Sequence, residues 1–260
     1  MSYQVLARKW RPRIFAEMAG QQHVLQALIN ALDHDRLHHA YLFTGTRGVG
    51  KTTIARILSK CLNCDVGVSS VPCGECSSCT EIGEGRFIDL IEVDAASKTK
   101  VEDTRELLEN VQYTPTRARY KIYLIDEVHM LSNHSFNALL KTMEEPPSHV
   151  KFILCTTEPH KVPATIQSRC QRFDFKPIAT GRIVEHLKNV LAQEGLQADD
   201  AAVHLVARLG NGSMRDALSL LDRLIAAASG TLTARLAEET LGLPDAALIA
   251  AVTAAAVAGD

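Results

Sequence analysis

Apolar positions in the first two thirds of the chain alternate between two periods. Tyr41-Leu42-Phe43 is a short apolar run that leads into a glycine-rich turn, after which Ile54, Ile57 and Leu58 recur at helical spacing. From Phe87 to Val93, Ile88 and Leu90 alternate with Asp89 and Glu92, which predicts a strand. Lys121 to Ile125 and Val150 to Thr156 predict two more strands. Between them Phe136, Leu139, Leu140 and Met143 mark a helix that stops before Pro146-Pro147. Strands alternating with amphipathic helices predict an α/β fold, a parallel sheet with helices on both faces, over residues 1–177.

After Ile178 the period becomes helical throughout. Ile183, Val184, Leu187, Val190 and Leu191 form one stripe. Val203, Val206 and Leu209 form a second, and Leu218, Leu221, Leu224 and Ile225 a third. Residues 178–242 therefore read as a small three-helix domain, and the alanine-rich residues 243–260 as the start of a truncated further helical domain.

Composition narrows the partners. Net charge is -2, with 28 Lys and Arg against 30 Asp and Glu, so nucleic acid would have to meet a local patch rather than a basic field. Aromatics make up 5%, too few to favour a single-strand binder built on base stacking. No apolar run approaches the roughly 20 residues of a membrane span, and Met1-Ser2-Tyr3-Gln4 lacks a signal-peptide core. A cytoplasmic address is expected, and in a reducing compartment clustered cysteines point to metal or catalysis.

Gly45-Thr46-Arg47-Gly48-Val49-Gly50-Lys51-Thr52 fits the phosphate-loop pattern between a strand and a helix. Its glycines let backbone N–H groups turn toward phosphates, Lys51 reaches the β and γ oxygens, and Thr52 ligates Mg²⁺, with Thr53 following in the same cradle. The apolar strand Ile122–Ile125 ends in Asp126-Glu127. Two carboxylates there are costly without a cation, so Asp126 reads as the Mg²⁺ partner and Glu127 as the base for an attacking water. Thr157 closes the next strand, where its hydroxyl either senses a γ-phosphate or simply caps the strand. Arg169, in Ser168-Arg169-Cys170, and Arg215, in Gly212–Asp216, are candidate γ-phosphate arginines. Read alone, each is first an ordinary surface ion-pairing residue, and spacing does not say which nucleotide either would serve.

Cys64, Cys73, Cys76 and Cys79 give C-x8-C-x2-C-x2-C, which suits a closed four-sulfur zinc knuckle over residues 64–79 with a structural role. An iron–sulfur cluster and unligated thiols are the rival readings. Cys61, Cys155 and Cys170 read as apolar filler. The histidines show no metal pairing and read as structural, with His129 the exception because it lies just after the acidic pair.

Taken together, the P-loop, Asp126-Glu127, Thr157, Ser168-Arg169-Cys170, Gly212–Arg215, Trp10-Arg11-Pro12 and the cysteine insert resemble the clamp-loader clade of AAA+ ATPases, as found in bacterial DNA polymerase III. The resemblance covers essentially the whole chain. It implies a P-loop AAA+ core with a zinc-binding insert followed by an all-helical lid, using ATP, Mg²⁺ and structural Zn²⁺. It implies that Arg169 acts in trans on a neighbour's nucleotide, that Arg215 acts in cis, and that Ala7, Arg11, Pro12 and Met18 line the adenine pocket. The implied partners are delta, delta prime and further copies of the chain, the sliding clamp and primer-template DNA, with no membrane. The implied activity is ATP hydrolysis within the polymerase holoenzyme, slow in isolation, that loads the clamp during replication. Ser97, Lys98, Thr99 and Lys100 are candidate DNA-phosphate donors. Rival readings are a branch-migration helicase motor and a zinc-knuckle nucleic-acid module, the latter disfavoured because Gly74, Glu75, Ser77 and Ser78 supply no cation.

Overall fold

Side chains on the central strands point alternately to two different cores, and this alternation is what makes the sheet the middle layer of a sandwich. Tyr41, Phe43, Ile122, Leu124, Ile153 and Cys155 face one apolar cluster, while Leu42, Tyr123, Ile125, Phe152 and Leu154 face another. The computed structural model describes residues 4–97, 110–228, 230–243 and 254–256. They divide into two compact units, Pro12–Pro177 and Met1–Arg11 with Ile178–Asp260.

The first unit holds a five-stranded sheet of order β2-β3-β4-β1-β5, with β1 Ala40–Thr44, β2 Leu90–Asp94, β3 Lys121–Asp126, β4 Val150–Thr156 and β5 Gln171–Asp174. Every pairing is parallel, so the carboxyl ends of all strands share one rim. Helices α2 Gln22–Asp33, α3 Lys51–Asn63 and α4 Ser77–Glu84 lie on one face. Helix α5 Asn133–Glu144 covers the other, together with the short α6 Ala164–Gln167, whose Ile166 is buried there. Ser132 caps α5 by accepting the Ser135 N–H at 3.1 Å.

Strand β2 begins three residues later than the alternating pattern suggested. The Asp89 side chain is buried and accepts the backbone N–H groups of Thr116, Arg117 and Ala118 at 2.7–3.0 Å, so this residue organises a neighbouring loop, and Ile88 is exposed. Strand β5, with only Phe173 buried, carries too weak a pattern to read from sequence.

In the second unit α7 Thr180–Glu194, α8 Asp200–Leu209 and α9 Met214–Ala227 carry the expected stripes, with one correction: Leu209 is exposed, and Ala202 and Ala207 fill the seam instead. A fourth helix, α10 Ala234–Leu241, packs on the same cluster, capped by Thr233. Only Ala237 of α10 is fully buried, which is why no stripe announced it. The sequence reading placed the first eleven residues with the sheet. Instead the short helix α1 Leu6–Lys9 buries Leu6 among α7 and α9, its backbone N–H reaching Asp222 Oδ2 at 2.8 Å, and Trp10 Nε1 donates to Glu194 Oε1 at 2.7 Å. Residues 98–100 and most of 243–260, for which phosphate contacts and a further domain were expected, fall outside the described residues.

Candidate nucleotide and metal sites

The turn from β1 to α3 has backbone angles that only glycine adopts freely. Gly45, Gly48 and Gly50 have φ of 142°, 77° and 103°. A Cβ on Gly45 would stand 2.5 Å from the Phe175 carbonyl oxygen, so no side chain fits there. One on Gly50 would meet Met18 Cε at 2.7 Å, which places Met18 against this turn. Helix α3 starts at Lys51, so the cradle sits on a helix N-terminus, the end that favours anions. Lys51 is buried, and its Nζ donates to the carbonyls of Gly45 and Thr46 at 2.8 and 2.9 Å.

Strand β3 brings its two carboxylates to the same rim. Thr52 Oγ1 donates to Asp126 Oδ2 at 2.8 Å, and the other Asp126 oxygen accepts the Glu127 N–H at 3.0 Å. At 2.8 Å the first of these is an ordinary O–H···O hydrogen bond, and it sets the two oxygens side by side at the rim. Glu127 adopts a left-handed backbone with φ 49°, uncommon for a residue with a side chain. Its Oε2 accepts the Thr157 N–H at 3.3 Å and the Thr157 hydroxyl at 3.0 Å. His129 Nδ1 lies 3.4 Å from the same oxygen and 2.9 Å from Thr156 Oγ1.

Lys51, Thr52, Asp126, Glu127 and Thr157 are thus gathered at one rim. Arg169 has different company: Nη1 donates to the Thr165 carbonyl at 2.7 Å and Nη2 to Glu144 Oε1 at 2.8 Å. Ala7, Arg11 and Arg215 belong to the helical unit and Pro12 and Met18 to the sheet unit. Arg215 is exposed in the first turn of α9, behind the Ser213 cap. Ser97 turns its hydroxyl back onto the Asp94 carbonyl at 3.1 Å. Sequence reasoning missed Glu144 as the partner of Arg169; the two lie 25 residues apart, and no local pattern links them.

The sulfurs of Cys64, Cys73, Cys76 and Cys79 all lie within 4.8 Å of one another, and those of Cys73 and Cys79 are 4.0 Å apart. A tetrahedron with metal–sulfur bonds of about 2.3 Å has edges of about 3.8 Å, so the four fit one ion. Backbone N–H groups of Cys76 and Glu75 favour the Cys73 thiolate and hold its pKa down to about 6, whereas burial pushes Cys79 and Cys76 up. The frame is built from neighbours. Asp65 accepts the Ser77 and Ser78 hydroxyls at the start of α4, and Arg119 donates to the Cys64 and Asp65 carbonyls. Asn63 exchanges two hydrogen bonds of 2.9 Å with the Tyr120 backbone. Cys61, Cys155 and Cys170 are desolvated and their thiol pKa values raised, to about 12 for Cys61 and Cys170, as inert packing requires.

Residues 20–179 match the family described as DNA polymerase III, delta subunit, and residues 182–230 match the DNA polymerase III clamp loader subunit ATPase lid domain. The chain is 59% identical over 245 residues to DNA polymerase III subunit tau of Escherichia coli, covering 94% of this chain and 38% of that one. It is 50% identical over 245 residues to subunit gamma of Buchnera aphidicola subsp. Schizaphis graminum, covering 94% and 68%. Among solved structures, the Holliday junction branch migration motor RuvB of Thermotoga maritima superposes with a TM-score of 0.68 at 20% identity, covering 90% of this chain and 72% of that one. At that identity the likeness speaks for the AAA+ fold alone. No described helix is long and apolar enough to cross a membrane. By its matched domains and its relatives, the chain belongs to the tau/gamma group of DNA polymerase III clamp-loader subunits.

Proposed function

We propose that the chain binds and hydrolyses ATP as a motor segment of a clamp loader that places a sliding clamp on primed DNA. The observation that carries this reading is the Thr52–Asp126 hydrogen bond beside Glu127, which joins the phosphate cradle, a Mg²⁺ ligand pair and a carboxylate base at one rim. Lys51 neutralises phosphate charge, Thr52 and Asp126 hold Mg²⁺, Glu127 takes a proton from the attacking water, and Thr157 orders Glu127 and meets the γ-phosphate. When bound, the ion would supply positive charge to offset that of the phosphates.

Arg169 acts on the nucleotide of a neighbouring subunit, and Arg215 as a second sensor; the family resemblance supports both roles. Ala7, Arg11, Pro12 and Met18 serve the base of the nucleotide. The four cysteines hold a structural Zn²⁺, supported by a sulfur spacing that fits one tetrahedral ion. Since the chain spans 38% of the length of the Escherichia coli relative, assembly with delta, delta prime and further copies, and action on clamp and DNA, are part of the proposal. So is a cytoplasmic location.

The test is ATP turnover by the chain alone and in a reconstituted assembly, with and without clamp and primed DNA. Turnover should be slow alone, rise on assembly, and vanish with Lys51→Ala. Unchanged turnover by that variant would overturn the assignment.

A further inference from the structure

Two short segments face each other beside the candidate base, 127–129 after β3 and 156–158 at the end of β4. Two sets of hydrogen bonds cross between them. Thr157 gives its N–H and its hydroxyl to Glu127 Oε2, at 3.3 and 3.0 Å. Beside them, His129 Nδ1 pairs with Thr156 Oγ1 at 2.9 Å, and the same hydroxyl oxygen accepts the Glu158 N–H at 3.0 Å. The outer edge of the ring, Nε2, stands 3.5 Å from Glu158 Oε2, and the His129 side chain is 8% exposed. The imidazole is therefore wedged between Glu127 and Glu158, with every polar edge facing the strand end that supplies the donors to Glu127.

The Thr156 oxygen accepts the Glu158 N–H and still has a hydrogen and a second lone pair, so it pairs with His129 Nδ1 in either tautomer of the ring. Among the described residues Glu127 Oε1 has no partner, while Oε2 is held. A carboxylate anchored through one oxygen presents the other in a set direction, which a base for a single positioned water requires.

We propose that His129 is a positioning residue for ATP hydrolysis, locking the end of β4 through Thr156 so that Thr157 holds Glu127 with Oε1 directed at the attacking water. The proposal rests on the reading of Glu127 as the base. It assigns His129 no contact with nucleotide. Its removal should slow the chemical step and leave nucleotide affinity alone.

The test measures nucleotide dissociation constants and clamp- and DNA-stimulated kcat in the reconstituted assembly. His129→Ala should lower kcat about 10- to 100-fold, the usual cost of misplacing a catalytic group, at unchanged affinity. His129→Asn, whose amide can still reach Thr156, should recover most of the rate, and His129→Gln should not. Thr156→Val should slow turnover similarly. Combined with His129→Ala it should add little, because both act through one contact. Full turnover by His129→Ala, equal loss in the Asn and Ala variants, or additive losses in the double variant would each overturn the proposal. Glu127→Gln run in parallel separates the two readings. If it stays active, the base assignment fails; if it is inactive while His129→Ala is unaffected, only the role of His129 fails.

Discussion

The Thr52 hydroxyl donates to Asp126 Oδ2 at 2.8 Å, although the two residues lie 74 positions apart. The contact ties the first turn of α3 to the end of β3, so one cation can take an oxygen from each. Thr52→Ala and Asp126→Asn should therefore abolish Mg²⁺-dependent turnover while sparing nucleotide binding in excess chelator. Fluorescent-nucleotide titration with and without Mg²⁺ reads the difference. A variant that keeps its full Mg²⁺ response would remove that residue from the ligand set.

Arg169 is held at the protein surface by Glu144 and the Thr165 carbonyl. An arginine that completes a neighbour's site is worth about 10³-fold or more in rate. Arg169→Ala should spare nucleotide binding by its own chain and lower stimulated hydrolysis in the assembly by about that factor. Full stimulated turnover would sink the in-trans role.

The four-cysteine cluster should carry about one zinc ion per chain, the stoichiometry of a closed tetrahedral site, measured by atomic emission on protein purified without added metal. Cys76→Ser should empty it and lower the melting temperature. Iron in place of zinc would overturn the ligand assignment.

Burial pushes the His186 imidazole below its ordinary value, and its Nε2 has no partner among the described residues. The unfolded chain takes up a proton near pH 6.5, which the folded chain accepts only at lower pH. Stability is therefore present above about pH 6.5 and falls as pH drops through that value. His39, also lowered by burial, adds to the trend. Melting curves from pH 8 to 5.5 should show the decline, and His186→Leu should flatten part of it. An identical slope in that variant would exclude His186 as a source.

What the sequence revealed and what it hid divide along physical lines. The P-loop was legible because Gly45 and Gly50 answer to local backbone angles, and the strands because Tyr41 to Phe43 and Ile122 to Ile125 must be buried on both faces. The cysteine cluster was legible because spacings as short as those of Cys73, Cys76 and Cys79 keep the sulfurs within reach of one another. Hidden were contacts between distant segments, such as Arg169 with Glu144 or Asp89 with the 116–118 backbone. Hidden too were elements with little buried surface, β5 and α10. Leu6 went astray because one apolar residue in a four-residue helix carries no period from which its packing partner could be read.

Helix α3 begins at Lys51, the cradle lysine, and its last residue, Asn63, directly precedes the first cysteine of the cluster. Thirteen residues of helix are about 20 Å long. At that range two unit charges interact by about 0.2 kcal/mol in water, and a screening length of about 8 Å at physiological salt removes most of that. The cysteine cluster is therefore electrically silent toward the phosphate cradle. Whatever it contributes to nucleotide chemistry passes as stiffness, through a helix anchored at its far end by Asn63 on Tyr120 and by Arg119 on the Cys64 carbonyl.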